Sequence, residues 1–115
     1  MALTLSHEHH GDYAVIAVDG ELDLATAPEL ADLASQLIGD GIANLVVDAG
    51  RLSFCDSTGL GVLVKVANDL QPGGRIAIAD AQPIVLRVLQ VTGLVGTILV
   101  AASVAEAAAA LESAG

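Results

Sequence analysis

Ser57 is the side chain in this sequence best placed to take part in chemistry. It follows Phe54-Cys55-Asp56 and precedes Thr58-Gly59-Leu60-Gly61, between the apolar runs Leu45-Val46-Val47 and Val62-Leu63-Val64. A hydroxyl where a buried strand passes into a helix, with two glycines in the helix's first turn, stands in the open where another molecule can act on it. The plain alternative is that Asp56 or Ser57 caps the helix, its side-chain oxygen accepting an orphan backbone N–H for about 1 kcal/mol. A cap explains one polar residue but not Gly59 and Gly61, each of which costs a helix about 1 kcal/mol relative to alanine. Close helix packing is the other use of such glycines.

A serine nucleophile needs a base to take its proton, and the histidines are His7, His9 and His10, far back in the chain. The spacing Asp56-Ser57-Thr58-Gly59 is not G-x-S-x-G, and Gly59-Leu60-Gly61 is too short for a dinucleotide or phosphate-binding loop. The residues therefore argue against an enzyme and against a bound cofactor. His7 and His9, two apart, share a strand face, but such a cluster is more often a solvated edge than a metal site, and no metal is expected. Cys55 is the only cysteine. A thiol beside Asp56 lacks the basic neighbour that would activate it and reads as a small buried apolar residue.

The elements that must position Ser57 can be traced from the periodicity. Leu3-Thr4-Leu5 alternates, Tyr13 to Val18 is an apolar run, and His10-Gly11-Asp12 between them reads as a hairpin turn. Thr26-Ala27-Pro28-Glu29 has the form of a capping box with Thr26 as N-cap. Leu30, Leu33, Ala34, Leu37 and Ile38 then fall on one helical face, and Gly39 and Gly41 end the helix. The alternation repeats: a strand over Ala43 to Asp48, a helix over Ser57 to Leu70, a strand over Arg75 to Ala79, a helix over Pro83 to Val91 stopped by Gly93, and a strand over Thr97 to Ala101. Ser103-Val104-Ala105-Glu106 is a second capping box and opens an alanine-rich helix to Leu111.

Apolar strands alternating with amphipathic helices pair in parallel through right-handed crossovers. The expected fold is one α/β domain over residues 1–115: a mostly parallel mixed sheet of about five strands, an N-terminal antiparallel hairpin and four helices. Parallel strands end on a common rim, where ligands and partners are met. The second strand runs out at Gly20-Glu21-Leu22-Asp23 and the third between Asp48 and Phe54, so Asp23 and Ser57 should share that rim. On the helix after Ser57, Leu60, Leu63, Val64, Ala67 and Leu70 form the stripe facing the sheet. Val62 and Val66 lie off it, either as an exposed apolar patch beside Ser57 or beneath a neighbouring helix.

Composition bounds the partners. With 115 residues, 54% hydrophobic but only 2% aromatic (Tyr13 and Phe54), the core must be built from Leu, Ile, Val and Ala. Four Lys and Arg against fourteen Asp and Glu leave a net charge of −10, a field that repels nucleic acid and anionic membrane and draws in basic protein surfaces. Met1 to Glu8 has neither the basic start nor the apolar core of a signal peptide. The uncharged stretch Val88 to Ala105 is interrupted by Gln90, Thr92, Gly93, Gly96, Thr97 and Ser103 and does not read as a membrane span. The expectation is a soluble cytoplasmic protein.

The ordered set Val18 to Leu30, Leu45 to Asp48, Leu52 to Leu63 with its Asp56-Ser57-Thr58-Gly59-Leu60-Gly61 core, and Val88 to Leu94 resembles the STAS-domain anti-sigma factor antagonists, or anti-anti-sigma factors, from about Leu3 to Leu111. The resemblance implies a partner-switching stress-response regulator of transcription. In such proteins the serine directly after the aspartate is phosphorylated by an anti-sigma factor that is also a serine kinase. The unphosphorylated antagonist binds that anti-sigma factor and frees the sigma factor, and a metal-dependent serine phosphatase resets the cycle. Carried over by motif, Ser57 is the phosphoacceptor, and Asp23, Thr26, Asp56, Thr58, Gly59 and Gly61 line the partner surface, with Val62 and Lys65 on the following helix. The alternative within the same family is a constitutive scaffold subunit of a signalling or transporter complex with no serine switch. Departures from the family pattern are Cys55 in place of a large aliphatic residue, a single basic residue, Lys65, on the helix, and no aromatic after Gly93-Leu94.

Overall fold

The computed structural model describes residues 3–70, 72–93 and 98–113. The N-terminal hairpin forms β1 (Leu3–His10) and β2 (Tyr13–Leu22), joined by Gly11 at φ +73°, a left-handed position that glycine takes without a steric penalty. The tip is pinned, because the carbonyl of Asp12 accepts the amides of Ala43 at 2.8 Å and Asn44 at 3.2 Å. The rest alternates: α1 (Ala27–Gly39), β3 (Asn44–Cys55), α2 (Ser57–Asp69), β4 (Ile76–Ala79), α3 (Pro83–Thr92), β5 (Leu99–Ala101) and α4 (Val104–Ser113). The sheet runs in sequence order β1-β2-β3-β4-β5, with β1 antiparallel and the other pairs parallel. The expected start of the last strand at Thr97, and the missing aromatic after Leu94, lie outside the described residues.

A sheet that advances one strand at a time through right-handed crossovers puts every crossover helix on the same face. Leu30, Ala34 and Leu37 of α1, Leu60, Leu63 and Val66 of α2, and Val85 and Leu89 of α3 accordingly share one core with Ile16, Leu45, Val47, Ile76 and Ile78 of the strands. On the other face Ala107 and Leu111 of α4 cover Val15, Val46, Ala77 and Ala79. Burial on both faces is why the central strands read as continuous apolar runs.

Two strands are longer than their apolar runs imply. β3, expected to stop at Asp48, continues to Cys55, and β2 continues from Val18 to Leu22. The cause is a pair of register shifts, between Ala17 and Asp19 and between Gly20 and Glu21. Each shift changes the phase of in-and-out alternation, so the inward positions of β3 pass from Leu45, Val47 and Ala49 to Leu52 and Cys55. A strict two-residue period loses the strand at the first shift.

Candidate functional site

The site is built where β2 and β3 end together. Leu22 is paired with Cys55, and the amide of Asp56 donates to the Leu22 carbonyl at 3.1 Å, so the chains leaving these strands at Asp23 and Asp56 start side by side. The expected common rim is present.

Asp56 is the helix cap. Its backbone is extended (φ −95°, ψ −175°) and its Oδ1 accepts the Gly59 amide at 2.9 Å. Ser57 is thereby left out of the cap. Its side chain is exposed and makes no hydrogen bond to any other described residue. Of the two capping alternatives, the one that would have occupied the serine is not the one the protein uses.

The two glycines have different reasons. A Cβ at Gly59 would lie 2.8 Å from Cγ of Leu22 and 3.0 Å from Sγ of Cys55, so the first turn of α2 rests directly on that residue pair and only glycine fits. At Gly61 nothing lies within 4 Å of the same position. No neighbour inside the protein requires that glycine. Ser57, Gly61 and Lys65 follow one another at four-residue spacing on the exposed face of α2, with bare backbone between the hydroxyl and the ammonium. Lys65 is itself committed to Asp69, 2.7 Å away. Thr58 and Val62 beside this face are half-buried, and Val62 packs against the core.

Asp23 is held by its own loop. Its Oδ1 accepts the amides of Ala25 at 3.0 Å and Thr26 at 3.1 Å and lies 3.2 Å from the Thr26 hydroxyl. The Thr26 amide first, and the Ala25 amide with it, hold its carboxyl below the usual carboxylate range, against a desolvation cost. Thr26 departs from the expected capping box. It stands at the N-cap position, but its hydroxyl makes no cap bond, donating instead to the Glu21 carbonyl at 2.7 Å and accepting the Asp23 amide at 2.9 Å. Its backbone there is helical (φ −101°, ψ −22°), where a capping residue is normally extended. Thr26 is 4% exposed, so it orders Asp23 from beneath.

Cys55 is buried, and desolvation followed by the Asp56 charge pushes its thiol up to about 11. It is a packing residue, as expected. His10 stacks on Tyr13 at 5.2 Å and bonds Glu8 at 3.3 Å, whereas His7 and His9 lie 6.1 Å apart, so the three imidazoles do not converge.

A STAS domain family model matches residues 4–107. The chain belongs to the STAS domain family. Among STAS relatives, the anti-sigma F factor antagonist of Paenibacillus polymyxa is 33% identical over 102 residues, covering 82% of each chain. The crystal structure of an anti-sigma factor antagonist from Mycobacterium paratuberculosis superposes with a TM-score of 0.86 at 27% identity, covering 96% of this chain and 95% of that one. The anti-sigma factor antagonist SpoIIAA, from Bacillus, matches in its unphosphorylated form with a TM-score of 0.81 at 26% identity over 97% of both chains, and its phosphorylated form is also a match.

Within this STAS domain Val62 and Val66 take the second of their two expected settings, beneath a neighbouring helix. Val66 is 4% exposed and Val62 is partly covered, because α1 packs against α2 and closes over that side. The exposed apolar side chains near the site are Leu24 and Phe54, at the ends of the strands. The helical period of α2 misses them because Leu24 sits in a loop and Phe54 lies near the end of β3, beyond the apolar run Leu45-Val46-Val47. Their signal in the sequence is a large apolar residue placed immediately beside Asp23 and one residue from Cys55-Asp56.

Proposed function

We propose that this STAS domain is an anti-sigma factor antagonist whose unphosphorylated form binds an anti-sigma factor and releases a sigma factor, with Ser57 as the residue at which binding is switched off. The observation that carries the reading is the exposed Ser57 hydroxyl at the first position of α2, left free because Asp56 supplies the cap. The family and the names of its relatives support the antagonist role. The protein acts by binding, and chemistry on it is done by others. A kinase-type anti-sigma factor would transfer the γ-phosphoryl group of ATP to the Ser57 oxygen, with ADP leaving and the hydroxyl proton passing to a base on the kinase. A serine phosphatase would return the hydroxyl by hydrolysis.

The switch follows from charge. A phosphate adds about −1.5 to −2 beside Asp56 and on the rim that carries Asp23. The cations lie elsewhere: Arg51 pairs with Asp19 further back along β3, Lys65 pairs with Asp69, Arg75 precedes β4 at the opposite strand ends, and Arg87 is on α3. Close approach of a partner that suits the neutral hydroxyl is then penalised by roughly 2–4 kcal/mol, about 30- to 1000-fold in affinity. The start of a helix tolerates a phosphate, gaining up to ~1 kcal/mol, so the fold itself survives modification. Asp23, ordered by Thr26, and the bare backbone at Gly61 are fixed features a partner can read without rearrangement.

Phosphosite mapping by mass spectrometry after incubation with ATP and the cognate anti-sigma factor tests this. Phosphate on Ser57, absent in Ser57→Ala, supports the reading. Phosphate confined to another residue, or none, contradicts it.

A further inference from the structure

Among the described residues four large hydrophobic side chains are exposed: Leu24 at 73%, Phe54 at 41%, Ile84 at 53% and Val91 at 76%. Ile84 and Val91 both lie on α3. Leu24 and Phe54 come from different elements and both stand at the strand ends that carry Ser57, since Phe54 is paired with Glu21 and Leu24 follows two residues after Leu22, the partner of Cys55. Single exposed apolar residues need no explanation, but two at one functional edge do. Phe54 is also the only phenylalanine in the sequence, and it is spent on the surface while the core is built from aliphatic residues.

The charged residues closest to the pair in sequence are acidic. Glu21, Asp23 and Asp56 interleave with Leu24 and Phe54, and neither Gly20 to Thr26 nor Leu52 to Leu60 contains a Lys or Arg. A complementary surface has an apolar seat ringed by basic groups. An aromatic side chain in an apolar seat with a polar rim is the usual source of affinity in a protein interface.

We infer that Leu24 and Phe54 are the affinity anchors through which this domain holds its anti-sigma factor, an inference that rests on the antagonist reading above. The anchors and Ser57 then divide the work. Apolar contact supplies binding that salt scarcely alters, and the acidic rim with the hydroxyl supplies a charge-sensitive gate that phosphate closes.

The test is isothermal titration of the purified cognate anti-sigma factor with the wild-type chain and with Leu24→Ala, Leu24→Ser, Phe54→Ala and Ser57→Asp, at low and high salt, with thermal unfolding of each. The expected result is a loss of about tenfold or more for Phe54→Ala and at least about threefold for the Leu24 variants, nearly equal at the two salt concentrations, with Leu24 unfolding midpoints unchanged. The Ser57→Asp penalty should shrink as salt rises. Wild-type affinity in folded Leu24 and Phe54 variants, alongside weakened Ser57→Asp, overturns the anchors and leaves the switch standing. Loss of self-association in the variants with unchanged anti-sigma binding also overturns it, assigning the pair to a second copy of this chain. Failure of the wild-type chain to bind at all overturns both readings.

Discussion

The amide of Asp56 donates to the carbonyl of Leu22 at 3.1 Å. This one bond ties the start of α2 to the end of β2 across the Leu22–Cys55 pair, and it fixes where both the Asp23 loop and the Ser57 hydroxyl emerge. The site is therefore a property of two adjacent strand ends, with α2 laid on top of them.

Gly59 and Gly61 should respond to alanine in opposite directions. At Gly59 the added carbon meets Leu22, which is fully buried and cannot step aside. Overpacking of roughly 1–3 kcal/mol outweighs the ~1 kcal/mol gained in helix propensity. Gly59→Ala should lower the unfolding midpoint by up to about 8 °C. Gly61→Ala meets nothing and should raise it by up to about 4 °C while weakening anti-sigma binding. Calorimetric unfolding paired with titration checks both. A Gly61→Ala chain that is stabilised and binds as well as wild type would remove Gly61 from the interface.

Thr26→Val keeps the shape of a buried side chain and removes its hydroxyl, leaving the Glu21 carbonyl and the Asp23 amide without their partner. A loss of about 1–3 kcal/mol in chemical denaturation is expected, with Thr26→Ser recovering most of it. Binding should fall further than Thr26→Ser predicts, because Asp23 loses its ordering. A Thr26→Val chain as stable as wild type would mean that the hydroxyl is not a structural donor.

The helices and strands were legible because apolar positions recur at helical spacing in α1, α2 and α3 and run unbroken in the buried strands. Legibility failed where tertiary packing set the answer. Thr26-Ala27-Pro28-Glu29 looks like a capping box, but Thr26 is turned back toward Glu21 by the loop that Asp23 closes. Helical spacing puts Val66 off the sheet-facing stripe of α2 and leaves open whether solvent or a neighbouring helix meets it; only the packing of α1 decides that it is core. Leu52 faces the core where strict alternation from Val47 would turn it outward, because of the register shifts between β2 and β3, whereas Phe54 and Cys55 are back in phase. The rim shared by Asp23 and Ser57 was readable from parallel topology alone.

Cys55 titrates high, at about 11, because burial and then Asp56 disfavour the thiolate. The folded chain keeps this proton while the unfolded chain loses it near the ordinary thiol value, so the associated stability is complete below about pH 8.5 and declines as pH rises toward 11. Between pH 9 and 10.5 the stability of wild type should fall more steeply than that of Cys55→Ala, measured by urea unfolding. In the native state at pH 8 the thiol should resist a disulfide reagent until the chain unfolds. Rapid native-state labelling would contradict the packing role.

The most direct test of the electrostatic gate is the affinity of one purified anti-sigma factor for the same chain before and after stoichiometric phosphorylation at Ser57. The account predicts binding weaker by about 30-fold or more in the phosphorylated form, a penalty that shrinks with added salt, and unfolding midpoints that agree between the two forms. Equal affinities, or a loss of binding that comes with a loss of folding, would contradict it.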